Sequence, residues 1–201
     1  MKEVVVLGAG SHTRSLVSLL KNCNYLVTSI VDINSAVETA EKIYEIPIVS
    51  NKVDVNVKSK VLSVGDNQVR ENLYNASENI LNENLIHTNS NVSTSCDMGN
   101  ANQIFSQVFI NEHVTIGNNN IINTGAIIEH EVELGSHNHI SIATVLAGRV
   151  KVGNRCFLGA NCTIIDKVSI CDDVIIGAGS VVLKDITQAG TYVGNPVRKI
   201  R

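Results

Sequence analysis

Two hydrophobic rhythms divide the chain. Over the first ninety residues, short apolar runs alternate with helix-spaced ones. VVVL ends in the Gly-x-Gly of GAG (8–10), and SHTRSLVSLLKNC follows with Leu16, Leu19, Leu20 and Cys23 at helical spacing. YLVTSIVD (25–32) reads as a second strand closing on Asp32. A further strand ends within KVLSVGDN (60–67) and feeds a predicted helix, QVRENLYNASENI. Beyond residue 90 the rhythm changes to six. From Val92 through Met98, Ile104, Ile110 and onward to Ile176 and Val182, sixteen consecutive sixth positions are Leu, Ile, Val or Met. Chance gives such a run with probability on the order of 10⁻⁸ before the choice of frame is allowed for. The fourth residue after each anchor is mostly small or β-branched, as at Val108, Ala126, Thr144, Cys156, Cys162 and Ser180. Glycine follows the anchor at 99, 117, 135, 153, 159 and 177.

A period of six fits neither the 3.6 of an α-helix nor a surface strand. It predicts short strands joined by tight corners, three to a coil, stacked into a triangular prism over roughly 90–186. The anchors and the fourth residues point inward, and glycine relieves crowding beside the anchor. Ordinary hairpins would need turn signals every 8–12 residues, which are absent. In such a prism, residues 18 apart stack. His130 is therefore expected over Glu112 and under Gly148, and Glu131 between His113 and Arg149.

The first ninety residues carry a βαβ pattern whose glycine turn and helix N-terminus hold phosphates. Gly8, Gly10, Ser11 and His12 are the predicted phosphate contacts, with Asp32, Gly65, Asp66, Asn67 and Arg70 around the rest of the ligand. A dinucleotide fingerprint would have a third glycine where Thr13 stands, so a half-sized Rossmann-like domain for a nucleoside diphosphate is expected rather than an NAD site. A glycine turn that only packs helix on sheet remains the alternative.

Composition narrows the classes. With 16 basic and 19 acidic residues the net charge is −3, and no basic stripe predicts a nucleic-acid partner. No apolar run approaches the roughly 20 residues that span a bilayer. MKEVVVLGAG runs straight into a strand without a signal-peptide layout, and five cysteines without CxxC spacing fit reduced thiols. Together these predict a cytoplasmic protein with neither a disulfide framework nor a zinc site.

IIEHEVELGSHNHIS (127–141) gathers three of six histidines. Three readings compete: a metal site, an acid/base site, and a solvated corner. A metal needs three or four converging ligands, and His137 and His139, two apart at a corner, are expected to diverge. His130 beside Glu131 fits a general base with its orienting carboxylate.

GAGSH (8–12), LIH (85–87), NTGAIIEHE (123–131) and the closing VGNPVRKI (193–200) together resemble the hexapeptide-repeat N-acetyltransferases of nucleotide-linked 4-amino sugars and the related sialic acid O-acetyltransferases. Two positions depart from the family pattern: Ser11 stands where a second consecutive glycine is frequent, and Thr88 where proline is. The resemblance implies a Rossmann-like domain over 1–88 that binds the nucleotide sugar. It implies a left-handed parallel β-helix over 89–201 that assembles as a homotrimer and uses acetyl-CoA without a metal. The implied reaction is acetylation of the 4-amino group of a UDP- or dTDP-linked amino-deoxy sugar, for surface glycan biosynthesis. By the same resemblance His130 is the base and Glu131 orients it. His139 donates to the thioester carbonyl and Asn123 lies near the amino sugar. Gly148, Gly159, Ala160, Gly177, Ala178, Arg198 and Lys199 lie along acetyl-CoA. Acetylation of a sialic acid hydroxyl, and a non-catalytic nucleotide-sugar-binding trimer, stay open as alternatives.

Overall fold

The computed structural model describes residues 1–35, 41–51 and 59–201. The chain forms two units, Met1–Leu85 and Ile86–Arg201.

In the first unit, β1 (Lys2–Leu7) leads through α1 (His12–Asn22) to β2 (Tyr25–Asp32). Then come β3 (Lys42–Ile43), β4 (Ile46–Ser50), β5 (Ser59–Leu62) and α2 (Asn67–Ala76). The sheet order is β3-β4-β2-β1-β5, with β2 and β5 both parallel to β1. Val4, Val5 and Val6 are buried without alternation, as in a strand covered on both faces. Leu16, Val17, Leu19 and Leu20 form the buried stripe of α1. The helix stops where Cys23 N–H donates to Leu19 O at 2.9 Å and Asn24 turns to φ 61°. Because β1 has neighbours reached in opposite directions, a crevice opens at the carboxyl ends of β1, β2 and β5.

The second unit is a parallel β-helix. Its two-residue strands pair at 18-residue intervals, Phe109 with Ile127, Ile127 with Val145, and Val145 with Thr163. Three parallel sheets result. The anchors fill the axis: Ile104, Ile110, Ile122, Ile128, Ile140, Leu146, Leu158 and Ile164 are fully or almost fully buried, each contributing about 1.5–3 kcal/mol of transfer free energy. From Met98 to Ile176, each corner turns through a left-handed residue three after the anchor. Twelve of these, from Ala101 to Asp173, are not glycine, with φ between 53° (Ala143) and 66° (Lys167). Their amides are tied to the coil beneath, as Glu131 N–H to Glu112 O at 3.0 Å and Arg149 N–H to His130 O at 2.9 Å. Glycine beside the anchor lets coils touch: a methyl on Gly117 would lie 2.8 Å from the Gly135 backbone.

One interior feature escapes the hydrophobic rhythm. Asn102, Asn120 and Asn138 occupy inward slots and are fully buried. Asn120 N–H donates to Asn102 Oδ1 (2.8 Å), Asn138 N–H to Asn120 Oδ1 (2.8 Å) and Cys156 N–H to Asn138 Oδ1 (2.7 Å). Each amide nitrogen donates onward to the carbonyl of a glycine, as Asn120 Nδ2 does to Gly135 O at 3.0 Å. The ladder satisfies its own polar atoms, so it lies inside the prism without an orphaned group. The last coil runs into Gly190–Gly194, parallel to Val174–Ile176, and then into the antiparallel Val197–Lys199.

Candidate active site

The crevice of the first unit is a cleft of about 520 Å³, and Gly8, Gly10, Ser11, His12, Asp32 and Gly65 are among the residues that line it. Gly8 has φ 114°, and a methyl on it would meet Ser63 O at 2.5 Å, so only glycine fits this turn. Thr13, in the place of a third fingerprint glycine, braces the turn from beneath. Its hydroxyl donates to Gly8 O at 2.8 Å and accepts from Ser63 Oγ at 2.9 Å. Ser11 does not cap α1 with its side chain. Thr13 N–H in the first turn donates to Gly10 O at 3.1 Å.

Three of the residues expected around the ligand do other work. Asp66 caps α2, its Oδ1 accepting from Val69 N–H at 2.8 Å. Arg70 is fully buried, and its guanidinium donates to Val64 O at 3.1 Å and Asn67 Oδ1 at 2.9 Å. Burial pulls its pKa down to about 10, against which Asp66 acts. Arg70 and Asn67 thus hold the loop after β5 in shape from the inside; the residues of that loop that line the cleft are Ser63, Val64 and Gly65. Asp32 keeps the lining position, with Oδ1 accepting from Asn34 N–H at 3.0 Å.

In the second unit, His130 and Glu131 share a corner. His130 Nδ1 lies 3.0 Å from Glu131 Oε2, both side chains about half exposed. A carboxylate only accepts, so Nδ1 carries the proton and Nε2 is left as the basic atom. The backbone at Glu131 is left-handed (φ 59°). Glu112, the other carboxylate stacked near the ring, is turned away: it accepts from Ser95 Oγ, which with Ser93 holds its carboxyl below the usual range. Arg149 does not share Glu131. It pairs with Asp166 on the next coil, Nη2 lying 3.0 Å from both carboxylate oxygens.

Gly148, which the resemblance places along acetyl-CoA, lies against the imidazole of His130, whose ring takes the space a side chain would fill. A methyl on Gly148 would lie 2.6 Å from both Nε2 and Cε1 of the ring.

The remaining expected residues spread along the prism. His139 is buried on another sheet, edge-on to Phe157 with centroids 5.1 Å apart. His137 is buried too, Nδ1 2.9 Å from Asn119 Nδ2, and takes no part in the His130 corner. Asn123 Oδ1 accepts from Thr124 N–H at 2.8 Å. Gly159 and Gly177 stack at one corner, where a methyl on Gly159 would meet Ala178 N at 2.6 Å, and Ala160 lies beside Gly159. Arg198 is exposed, and Lys199 Nζ lies 5.9 Å over the Tyr192 ring. Burial pushes the Cys156 and Cys162 thiols up to about 12 and about 11, which leaves them protonated and poor nucleophiles at neutral pH. Among the described residues no three His, Cys, Asp or Glu side chains converge as metal ligands. No helix there is long and apolar enough to cross a membrane.

Two family models match the chain, the PglD N-terminal domain over residues 3–77 and the hexapeptide repeat of succinyl-transferase over 149–184. A GDP-perosamine N-acetyltransferase from Caulobacter crescentus, solved with CoA and GDP-perosamine, is 31% identical with a TM-score of 0.92; the alignment covers 100% of this chain and 98% of that one. The acetyltransferase domain of PglB from Neisseria gonorrhoeae has the same fold at 22% identity, a TM-score of 0.88 and complete coverage of both chains. WeeI from Acinetobacter baumannii shares the fold at 16% identity, a TM-score of 0.82 and complete coverage of both. No curated protein matches the chain.

Proposed function

The chain belongs to the family of nucleotide-sugar N-acetyltransferases that join a PglD-type N-terminal domain to a hexapeptide-repeat β-helix, and from that premise we propose that it transfers acetyl from acetyl-CoA to the 4-amino group of a nucleotide-linked amino-deoxy sugar. The observation that carries the reading is the His130–Glu131 pair, a ring with one nitrogen held by a carboxylate and the other left basic.

The chemistry follows from that pair. The amino sugar arrives as an ammonium and cannot attack until it loses a proton. His130 Nε2 takes that proton, and the nitrogen lone pair forms a C–N bond to the thioester carbonyl carbon. The nitrogen of the tetrahedral intermediate loses its second proton, the intermediate collapses with cleavage of the C–S bond, and the CoA thiolate leaves and takes up one of the two protons while the other passes to solvent. Glu131 stabilises the imidazolium formed on the way, without itself taking the proton. Neither a cysteine nor a serine nucleophile is needed. The nucleoside diphosphate is assigned to the first unit's cleft, where the Gly8–Gly10 turn and the amides of Ser11 and His12 meet its phosphates. Gly159, Ala160, Gly177, Ala178, Arg198 and Lys199 are assigned to acetyl-CoA, His139 to its thioester and Asn123 to the sugar, as the family resemblance implies. The outward column of Phe109, Ile127 and Val145, with Ile127 37% exposed, supports the homotrimer that the family implies. The cytoplasm, where acetyl-CoA is made, is the compartment this reaction needs.

The test is CoA release measured across GDP-, UDP- and dTDP-linked 4-amino sugars and a CMP-linked sialic acid. The GDP sugar is included because the 31%-identical relative was solved with one. Turnover on a 4-amino sugar is expected. Turnover on the sialic acid alone would replace the reading with O-acetylation, and binding without turnover would leave a nucleotide-sugar-binding protein.

A further inference from the structure

His130, Gly148 and Asp166 form one corner column of the prism, each 18 residues from the next. With no side chain on Gly148, the imidazole lies against it, and Asp166 Oδ1 lies near the same point. A methyl on Gly148 would stand 2.6 Å from His130 Nε2 and 3.2 Å from Asp166 Oδ1. The two polar atoms are therefore less than about 6 Å apart, within two hydrogen-bond lengths, so one donor group can reach both.

Asp166 is held in that place. Arg149 grips it with Nη2 at 3.0 Å from each oxygen and Nε at 3.2 Å from Oδ1, and Lys167 Nζ lies 4.0 Å from Oδ2. The other charged groups around the ring are otherwise engaged. Glu131 is on Nδ1, Glu112 accepts from Ser95, Glu129 accepts from Asn111 Nδ2 at 2.7 Å, and His113 sits on the coil beneath Glu131. Asp166 is the carboxylate beside the basic edge of the ring; Oδ1 accepts twice from Arg149 and Oδ2 once, so Oδ2 keeps a lone pair for a further donor.

We propose that Asp166 selects a charged amine as the acceptor. One N–H of the substrate ammonium donates to Asp166 while another donates to His130 Nε2. The carboxylate recognises the cation, and the imidazole receives the proton. A sugar hydroxyl in the same place brings one hydrogen and no charge, so it cannot serve both groups. Arg149 is the positioning residue that keeps Asp166 aimed. The inference rests on the acetyl-transfer reading above, and it adds an account of why nitrogen is preferred to oxygen.

The test uses the intact protein and matched nucleotide sugars that differ only in a 4-amino or a 4-hydroxy group, GDP-perosamine and its 4-hydroxy counterpart first, with the UDP and dTDP pairs beside them. Binding of each is measured by calorimetry for wild type, Asp166→Asn and Asp166→Ser, together with CoA binding and thermal unfolding. Wild type is expected to favour the amine at least about tenfold, the scale of a hydrogen bond to a charged group. That preference should fade as pH rises through the pKa of the substrate amine. Both variants should bind the two sugars within about twofold of each other at every pH, with CoA affinity unchanged. A preference that survives in both variants, or variants that lose CoA instead of the amine, would overturn the assignment. Wild-type turnover is read separately, so acetyl transfer that persists with undiminished discrimination in the variants removes Asp166 alone. Absence of transfer by wild type removes the reaction as well.

Discussion

At the residue scale, the site depends on one missing side chain. Gly148 yields its space to the imidazole of His130, and a methyl there would overlap two ring atoms at 2.6 Å. Gly148→Ala is therefore expected to push the ring off Nε2's present position and lower kcat by 10²-fold or more, the scale of displacing a general base. Nucleotide-sugar affinity should hardly change, and full kcat in this variant would show that the ring's placement is unimportant. The 18-residue period placed Gly148 above His130 and Arg149 above Glu131, and the backbone obeys it. It did not reveal side-chain choice: Arg149 turns to Asp166, and Glu112 turns to Ser95. A repeat fixes where each Cα stacks, while the rotamer is settled by which partner lies within reach.

Individual coils are stabilised by more than aliphatic anchors. Asn120 sits midway in the buried ladder, and its side chain serves Asn138 N–H, Asn102 Oδ1 and Gly135 O. Asn120→Ala removes the partner of Asn138 N–H and of Gly135 O in a dry interior, while Asn102 Oδ1 keeps Asn120 N–H, and is expected to cost about 2–4 kcal/mol, read as a lowered denaturant midpoint. A loss below about 0.5 kcal/mol would mean that water replaces the amide. The hydrophobic rhythm missed this ladder because an inward asparagine breaks the apolar pattern in one dimension, and its partners are 18 residues away. The glycine turn of the first unit was legible because Gly-x-Gly between a strand and a helix has few other uses. Thr13's part was not legible, because its bond to Gly8 O depends on Ser63, fifty residues on. Arg70 likewise reads as a ligand contact in sequence, yet folding buries it beneath the loop that it ties together.

At the scale of the whole molecule, two units divide the labour that the proposed reaction requires. The first carries the glycine turn and cleft, and the second carries the base and the prism. Gly8→Ala strains a φ of 114° and drives a methyl to 2.5 Å from Ser63 O. Calorimetry should show nucleotide-sugar affinity reduced about tenfold or more, with CoA affinity unchanged; equal loss of both would mean the units do not act separately. The sixfold rhythm and the Gly-x-Gly turn made this two-part architecture readable, since each is a local periodicity or motif. The most direct test of the central claim is kcat for acetyl transfer in His130→Ala, with nucleotide-sugar and CoA affinities measured alongside. The account predicts kcat lower by about 10²–10⁴-fold, with both affinities within a few-fold of wild type. Near-normal kcat in that variant would contradict it.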